Sequence, residues 1–295
     1  MVNFISYYVR ACATLIGLAI GDAFGAPLEG SPAPLKRVTG MLPGGRHPRA
    51  RGEVTDDTLQ ALSVAASLAA CRRFDPDDMM ARFVAAYLTR PQWFGPTSST
   101  VFDLVRSGVP AREAAAVAHG ILGASRSNGS VMRGFPIGIF YAPRSVPEIS
   151  IACSRLTHHD MVAAHCSVWL NLMTSLMCRG SPREEAYRVA CARCTDGEVF
   201  TMLGSYKEYA PVPSLDALLC SHAALSSFMD AATFEDALVS AVNLGGDADT
   251  VGACCGALAG ANWGMDAIPE RWIADLEDYP RIRSVANELA RVGEE

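Results

Sequence analysis

The stretch Gly245-Gly246-Asp247-Ala248-Asp249-Thr250-Val251-Gly252-Ala253-Cys254-Cys255-Gly256-Ala257-Leu258-Ala259-Gly260 decides how this chain folds. An acidic Gly-Gly turn runs directly into small and apolar residues, a pattern that predicts a buried helix after Asp249. Gly252, Gly256 and Gly260 recur every four residues, so they form a flat stripe on one face that a neighbouring helix can approach closely. Far upstream, Gly52-Glu53-Val54-Thr55-Asp56-Asp57-Thr58 repeats the arrangement. Thr55 is suited to cap a helix through Cys71, with Asp56 and Asp57 in its first turn. Charge beside buried helices is costly unless compensated. Four carboxylates and the threonine hydroxyls are the hard oxygen ligands that Mg²⁺ or Mn²⁺ prefers. Helix capping, worth about 0.3–1 kcal/mol, would explain one such turn. Because Thr55 can already cap, Asp56 and Asp57 are both surplus to that task. Capping and cation ligation both remain open here; convergence of the two turns would make a two-metal site.

The rest of the composition narrows the class. The 295 residues are 50% apolar and 19% charged, enough to fill a substantial core. The net charge of −6, with no long basic run, argues against nucleic acid as a partner. Ten irregularly spaced cysteines fall on apolar segments and read as buried, reduced thiols of a cytoplasmic protein. Cys191 and Cys194 make one CxxC, but neither a second pair nor histidines stand nearby in sequence to complete a zinc site. Residues 11–21 are apolar enough for a signal segment, yet they lead straight into the Gly21-Asp22 motif and read as a core helix. Residues 161–178 carry no formal charge and just reach spanning length. His165, Ser167, Asn171, Thr174 and Ser175 favour a buried central helix there, so no membrane partner is expected.

Helical segments follow one another with short Gly, Pro and Asp punctuation. Helices are predicted near 6–21, 55–71, 76–89, 98–107, 111–120, 147–155, 160–178, 182–194 and 214–229. Thr233 and Asp236 open another that ends near Leu244. Residues 25–54 are irregular, and 121–145 form an apolar loop in which Val131–Tyr141 is the one serious strand candidate. The expected class is all-α: a single compact many-helix domain over 1–295, working as a monomer.

Three further motifs are ambiguous in isolation. Gly21-Asp22-Ala23-Phe24-Gly25-Ala26-Pro27-Leu28-Glu29 reads as a helix end followed by an acidic loop. Ser127-Asn128-Gly129-Ser130-Val131-Met132-Arg133 reads as a turn able to cradle a phosphate, or a plain turn with Arg133 paired to a core acid. Thr157-His158-His159-Asp160 reads as a cap with satisfied histidines. Together and in order, GDAFGAPLE, TDDT, SNGSVMR, LTHHD and NLGGDADT resemble the ADP-ribosylglycohydrolase family over nearly the whole chain.

The resemblance implies an all-α hydrolase that binds two divalent cations, Mg²⁺ or Mn²⁺, and removes ADP-ribose from ADP-ribosylated protein side chains. It implies Thr55, Asp56 and Asp57 as metal ligands from one side, and Asp247, Asp249 and Thr250 from the other. Glu29 matches an acidic residue that reaches the metals or the scissile bond, and is the candidate base together with the ligand aspartates Asp57 and Asp249. Asn128, Gly129, Ser130 and Met132 match the loop that holds the ADP-ribose phosphates, with Gly245, Gly246 and His158 also beside substrate. Arg46–Arg51 either line the pyrophosphate entrance or form a solvated loop. Arginine is the expected acceptor, through an N-glycosidic bond. The alternatives are serine or ester linkages, or an ADP-ribose-binding or structural protein without activity.

Overall fold

The computed structural model describes residues 5–294, which form fifteen α-helices. They are α1 (Tyr7–Gly25), α2 (Asp56–Cys71), α3 (Pro76–Thr89), α4 (Pro96–Arg106), α5 (Ala111–Leu122), α6 (Phe135–Phe140), α7 (Val146–Ser154) and α8 (Met161–Cys178). There follow α9 (Arg183–Arg193), α10 (Gly197–Gly204), α11 (Ala217–Met229), α12 (Phe234–Val242), α13 (Ala248–Trp263), α14 (Glu270–Asp275) and α15 (Tyr279–Glu294). No β-strand occurs among the described residues; two isolated bridges join loops. The all-α expectation therefore holds.

Antiparallel packing of α1 on α13 organises the core. The glycine stripe of α13 meets a matching stripe on α1: Gly17 faces Gly256, Gly21 faces Gly252, and Gly25 faces Ala248. A β-carbon at Gly17, Gly21 or Gly25 would collide with a carbonyl group of α13, and one at Gly252, Gly256 or Gly260 would collide with α1. The backbones thus touch directly. Such contact leaves no room for relaxation, because interiors are close-packed and backbone cannot rotate away as a side chain can. The pairing also fixes register. It sets the C-terminal turn of α1, with Asp22, against the N-terminal turn of α13, with Asp249. Beneath that end, Trp272 is fully buried between Phe24 and Phe234, with ring centroids 5.0 and 6.3 Å away.

Three expectations are corrected. Helix α1 does not stop at Gly21 but runs to Gly25; its glycines serve close approach rather than termination. The strand candidate Val131–Tyr141 contains α6 instead. Pro136 sits in the first helical turn, where a missing N–H is harmless, and Gly138 lets α6 press on the Asn171 carbonyl of α8. Helix α10 falls on a stretch with no predicted element; Asp196 caps it by accepting from the Glu198 and Val199 N–H groups, both at 3.0 Å. Two helices, α1 and α8, are long and apolar enough to cross a membrane, and both are mostly buried inside the fold. All ten cysteines are free, and seven of them are buried.

Candidate active site

The glycine seam ends in a carboxylate cluster. One oxygen from each of Asp22, Asp57 and Asp249 lies within 4.8 Å of the others, and all three residues are buried. Two unit charges that close repel by about 3 kcal/mol at an effective dielectric of about 20. Local structure still enforces the arrangement. Thr55 caps α2 as expected, its hydroxyl accepting from the Asp57 N–H at 3.3 Å and donating to Asp57 Oδ2 at 2.9 Å. Gly245 and Gly246 both take positive φ, 72° and 58°, a conformation that other residues adopt only with strain. The Gly246 N–H donates to Ser31 O, and the Gly30 N–H to Gly246 O, both at 2.7 Å. The turn before α13 is thereby pinned to the loop leaving α1.

Asp22 was not among the predicted ligands. It accepts from the Thr55 N–H at 2.9 Å, the Thr58 N–H at 3.1 Å and the Thr58 hydroxyl at 2.5 Å. It therefore caps the N-terminus of α2 from another helix. A carboxylate in the last turn of a helix lies at the wrong end of that helix's own dipole. The positive end of α2 compensates for this. An aspartate following eleven uncharged residues, Ala11–Gly21, within an apolar helix was the available signal.

The remaining acids close the site. Asp247 Oδ2 accepts from Asn128 Nδ2, which joins the Gly-Gly turn to the Asn-Gly-Ser loop. Asp56, half-buried, accepts from Gln60 Nε2 at 2.9 Å. Glu29 is half-buried; Arg49, itself buried, donates to Glu29 Oε2 at 3.2 Å and to Ala26 O at 2.8 Å. Of the basic loop, Arg49 folds inward, while Arg46 and Arg51 are exposed. Thr250 is buried on the first turn of α13.

Electrostatics and hydrogen bonding agree that this site fits divalent cations. Burial first, then mutual repulsion, raises Asp57 and Asp249 well above the ordinary carboxylate range. Burial and repulsion from Asp22 push Asp56 up to about 8, and burial pushes Asp247 up to about 6 against the opposing Asn128 bond. Burial likewise raises Asp22, though its four threonine hydrogen bonds oppose it. Asp57 Oδ1 and Asp249 Oδ1 are buried and accept no hydrogen bond. Orphaned buried oxygens within a cluster of carboxylates are what hard cations ligate. Six carboxylates here (Asp22, Glu29, Asp56, Asp57, Asp247, Asp249) stand with two buried guanidinium groups, Arg49 and Arg133. Fully ionised, the carboxylates would exceed the guanidinium groups by four charges, an excess that bound cations would relieve.

The Asn-Gly-Ser loop begins a short 3₁₀ turn, Asn128–Ser130. The Asn128 N–H donates to Leu215 O at 2.9 Å, and Arg126 bridges Glu198 and Asp216 at 2.6 and 2.8 Å. Gly129 is partly open, whereas Ser130, Met132 and His158 are buried beneath the loop. The Ser130 hydroxyl accepts from Ser154 at 2.9 Å. His158 lies directly under Gly129, where a β-carbon would come within 3.1 Å of its ring. Burial and then Arg133 lower its pKa to about 3, so His158 is neutral. The predicted site residues therefore split in two. The aspartates, Asn128 and the Gly-Gly turn are brought together, whereas Ser130 bonds Ser154, His158 bonds Thr157 and Ser127, and Met132 joins the hydrophobic core.

Comparison with known proteins agrees with this geometry. Residues 5–295 match the ADP-ribosylglycohydrolase family. The chain is 30% identical to ADP-ribosylarginine hydrolase Tri1 of Pseudomonas putida, over 95% of this chain and 77% of that protein. It is 30% identical to the ADP-ribosyl-[dinitrogen reductase] glycohydrolase of Rhodospirillum rubrum, over 92% of each. A solved structure described as an ADP-ribosylglycohydrolase-related protein complex superposes with a TM-score of 0.85 and 31% identity, covering 98% of this chain and 99% of that one. On this match of sequence, fold and acid turns, the chain belongs to the ADP-ribosylglycohydrolase family.

Proposed function

We propose that this protein hydrolyses the N-glycosidic bond between ADP-ribose and an arginine side chain of a modified protein, at a site holding two divalent cations, Mg²⁺ or Mn²⁺. The observation that carries the reading is the convergence of the buried carboxylates of Asp22, Asp57 and Asp249, with Asp57 Oδ1 and Asp249 Oδ1 lacking any hydrogen-bond donor. The name of one relative, an ADP-ribosylarginine hydrolase, supports the acceptor, and that of another, an ADP-ribosyl-[dinitrogen reductase] glycohydrolase, supports a modified protein as substrate. Thr55, Asp56 and Asp57 would hold the cations from the α2 side, and Asp247, Asp249 and Thr250 from the α13 side. Bound there, the cations would supply Lewis-acid polarisation and neutralise the clustered charge.

The chain's own groups then have distinct tasks. Asn128 ties the loop 127–130 to Asp247 and so sets where an ADP-ribose phosphate could rest against Gly129. Gly245 and Gly246, packed against Ser31–Ala33 and Pro213, would hold the turn that carries Asp247 beside the substrate. Glu29 has one carboxylate oxygen held by Arg49, and among the described residues nothing donates to the other. Its unbonded oxygen and partial exposure support a role for Glu29 as the base that would take a proton from an attacking water. The surrounding carboxylates would stabilise positive charge developing at the ribose carbon as the bond breaks. Ten free thiols support a reducing, cytoplasmic setting.

Release of ADP-ribose from arginine-, serine- and ester-linked substrates, with Mn²⁺ and with excess chelator, tests the proposal. Cation-dependent release from the arginine substrate is expected. Turnover confined to serine or ester substrates would move the assignment to that linkage, and ADP-ribose binding without any turnover would make the protein a binding module.

A further inference from the structure

One buried cation connects the two halves of the site. Arg133 is fully buried, lies 4.4 Å from the Phe83 ring centroid, and forms no ion pair among those described. Its Nη1 donates to Gln60 Oε1 at 2.7 Å, and Gln60 Nε2 donates to Asp56 Oδ2 at 2.9 Å. Its Nη2 donates to Thr157 Oγ1 at 2.6 Å. Thr157 Oγ1 is 2.7 Å from His158 Nδ1, and His158 Nε2 is 2.9 Å from the Ser127 hydroxyl. Gln60, Arg133, Thr157 and His158 are all buried, and Ser127 opens the loop that carries Asn128 and Gly129.

Donor chemistry gives this chain a direction. A guanidinium has no acceptor, so Gln60 must turn its oxygen to Arg133 and its N–H to Asp56. The Ser127 hydroxyl is turned to donate to Thr97 Oγ1 at 3.3 Å, so toward His158 Nε2 it accepts. His158 Nδ1 is left to accept the Thr157 hydroxyl proton, Thr157 itself accepting from Arg133. His158 then carries its proton on Nε2 and donates to Ser127.

We propose that Arg133, with Gln60, Thr157 and His158, is a shared positioning device. Through Gln60 it aims the Asp56 carboxylate at the cations, and through Thr157 it fixes the His158 tautomer that holds the ADP-ribose loop. The ligands named rest on the function proposed above; the tautomer does not. Groups that orient metal ligands from behind typically change metal affinity by about 10–100-fold when lost. One lost neutral hydrogen bond is worth about 2–10-fold.

Two near-isosteric variants separate the arms, which matters because Arg133→Leu is at risk of not folding. Thr157→Val should replace the single Nε2–H pattern of His158, read by ¹⁵N NMR on the cation-free protein, with a mixture of tautomers. It should weaken ADP-ribose binding by about 3–10-fold and leave Mn²⁺ affinity, measured without ADP-ribose, unchanged. Gln60→Met should weaken Mn²⁺ by about tenfold or more while His158 keeps its tautomer. An unchanged His158 signature in Thr157→Val, or unchanged Mn²⁺ affinity in folded Gln60→Met, would overturn the proposal with the function intact. A wild type that binds neither Mn²⁺ nor ADP-ribose would instead sink the functional reading, and the positioning role with it.

Discussion

The two ends of the α1–α13 contact are built from opposite materials. Along most of its length, glycines bring uncharged backbone against backbone, and nothing can move aside. At the last turn the same pairing forces Asp22 and Asp249 together with Asp57 from α2, where charges repel. The rigid part holds the strained part in place. Stability in the seam is obtained by close packing, whereas the carboxylate end is assembled against its own electrostatics and gains from an added ligand.

That contrast is easiest to break in the seam. Gly21→Ala and Gly252→Ala each drive a methyl into a carbonyl group of the facing helix. We expect a loss of about 3 kcal/mol or more, seen as lost soluble yield or a large fall in melting temperature, and complete failure for Gly21→Leu.

At the carboxylate end the stability effect should have the opposite sign. Asp57→Asn removes one of the repelling charges, so the cation-free variant should melt higher than wild type. It should also lose the Mn²⁺-induced rise in melting temperature, and turnover should fall by about 10³ or more. A variant that melts lower without cations would show that the cluster is not electrostatically strained. Glu29→Gln sharpens the division within that end. If Glu29 is the base, kcat should fall by about 10²-fold while Mn²⁺ affinity changes only a few-fold. Wild-type turnover would remove it from that role.

The smallest effect is in pH. The site aspartates have folded pKa values above the ordinary carboxylate value of about 4, so the folded state holds protons more tightly than the unfolded state. Stability of the cation-free protein is then full near pH 4 and is lost as pH rises through about 6 for Asp247 and about 8 for Asp56. The melting temperature without cations should drop between pH 5.5 and 8.5. Saturating Mn²⁺ should narrow that drop, because ligation needs the deprotonated acids. A flat profile without cations would contradict electrostatic strain at the site.

Much of this was legible in the sequence where the signal is local. Thr55, Thr233 and the punctuation around Pro76 placed helix starts to within a residue or two. The glycine stripe of α13 announced a close neighbour, but the partner stripe on α1 was hidden because Gly21 also reads as a helix terminus. For the same reason Asp22 reads as a loop acid, although it is a buried cap for α2. Its meaning depends on a helix that begins 34 residues later, at Asp56, which no local window contains. The strand reading of Val131–Tyr141 followed the β-rich composition and missed that Pro136 suits a first helical turn. His158 and Met132 were recognisable as motif positions, but only the packing shows that His158 lies under Gly129 and that Met132 belongs to the hydrophobic core.

The most direct test is anomalous diffraction at the manganese edge from crystals soaked with Mn²⁺ and ADP-ribose. Two peaks about 3.5–4 Å apart, lying between Asp57 Oδ1 and Asp249 Oδ1 and touching Thr55, Asp56, Asp247 and Thr250, are predicted. An empty space between those oxygens, with manganese elsewhere or nowhere, would contradict the account.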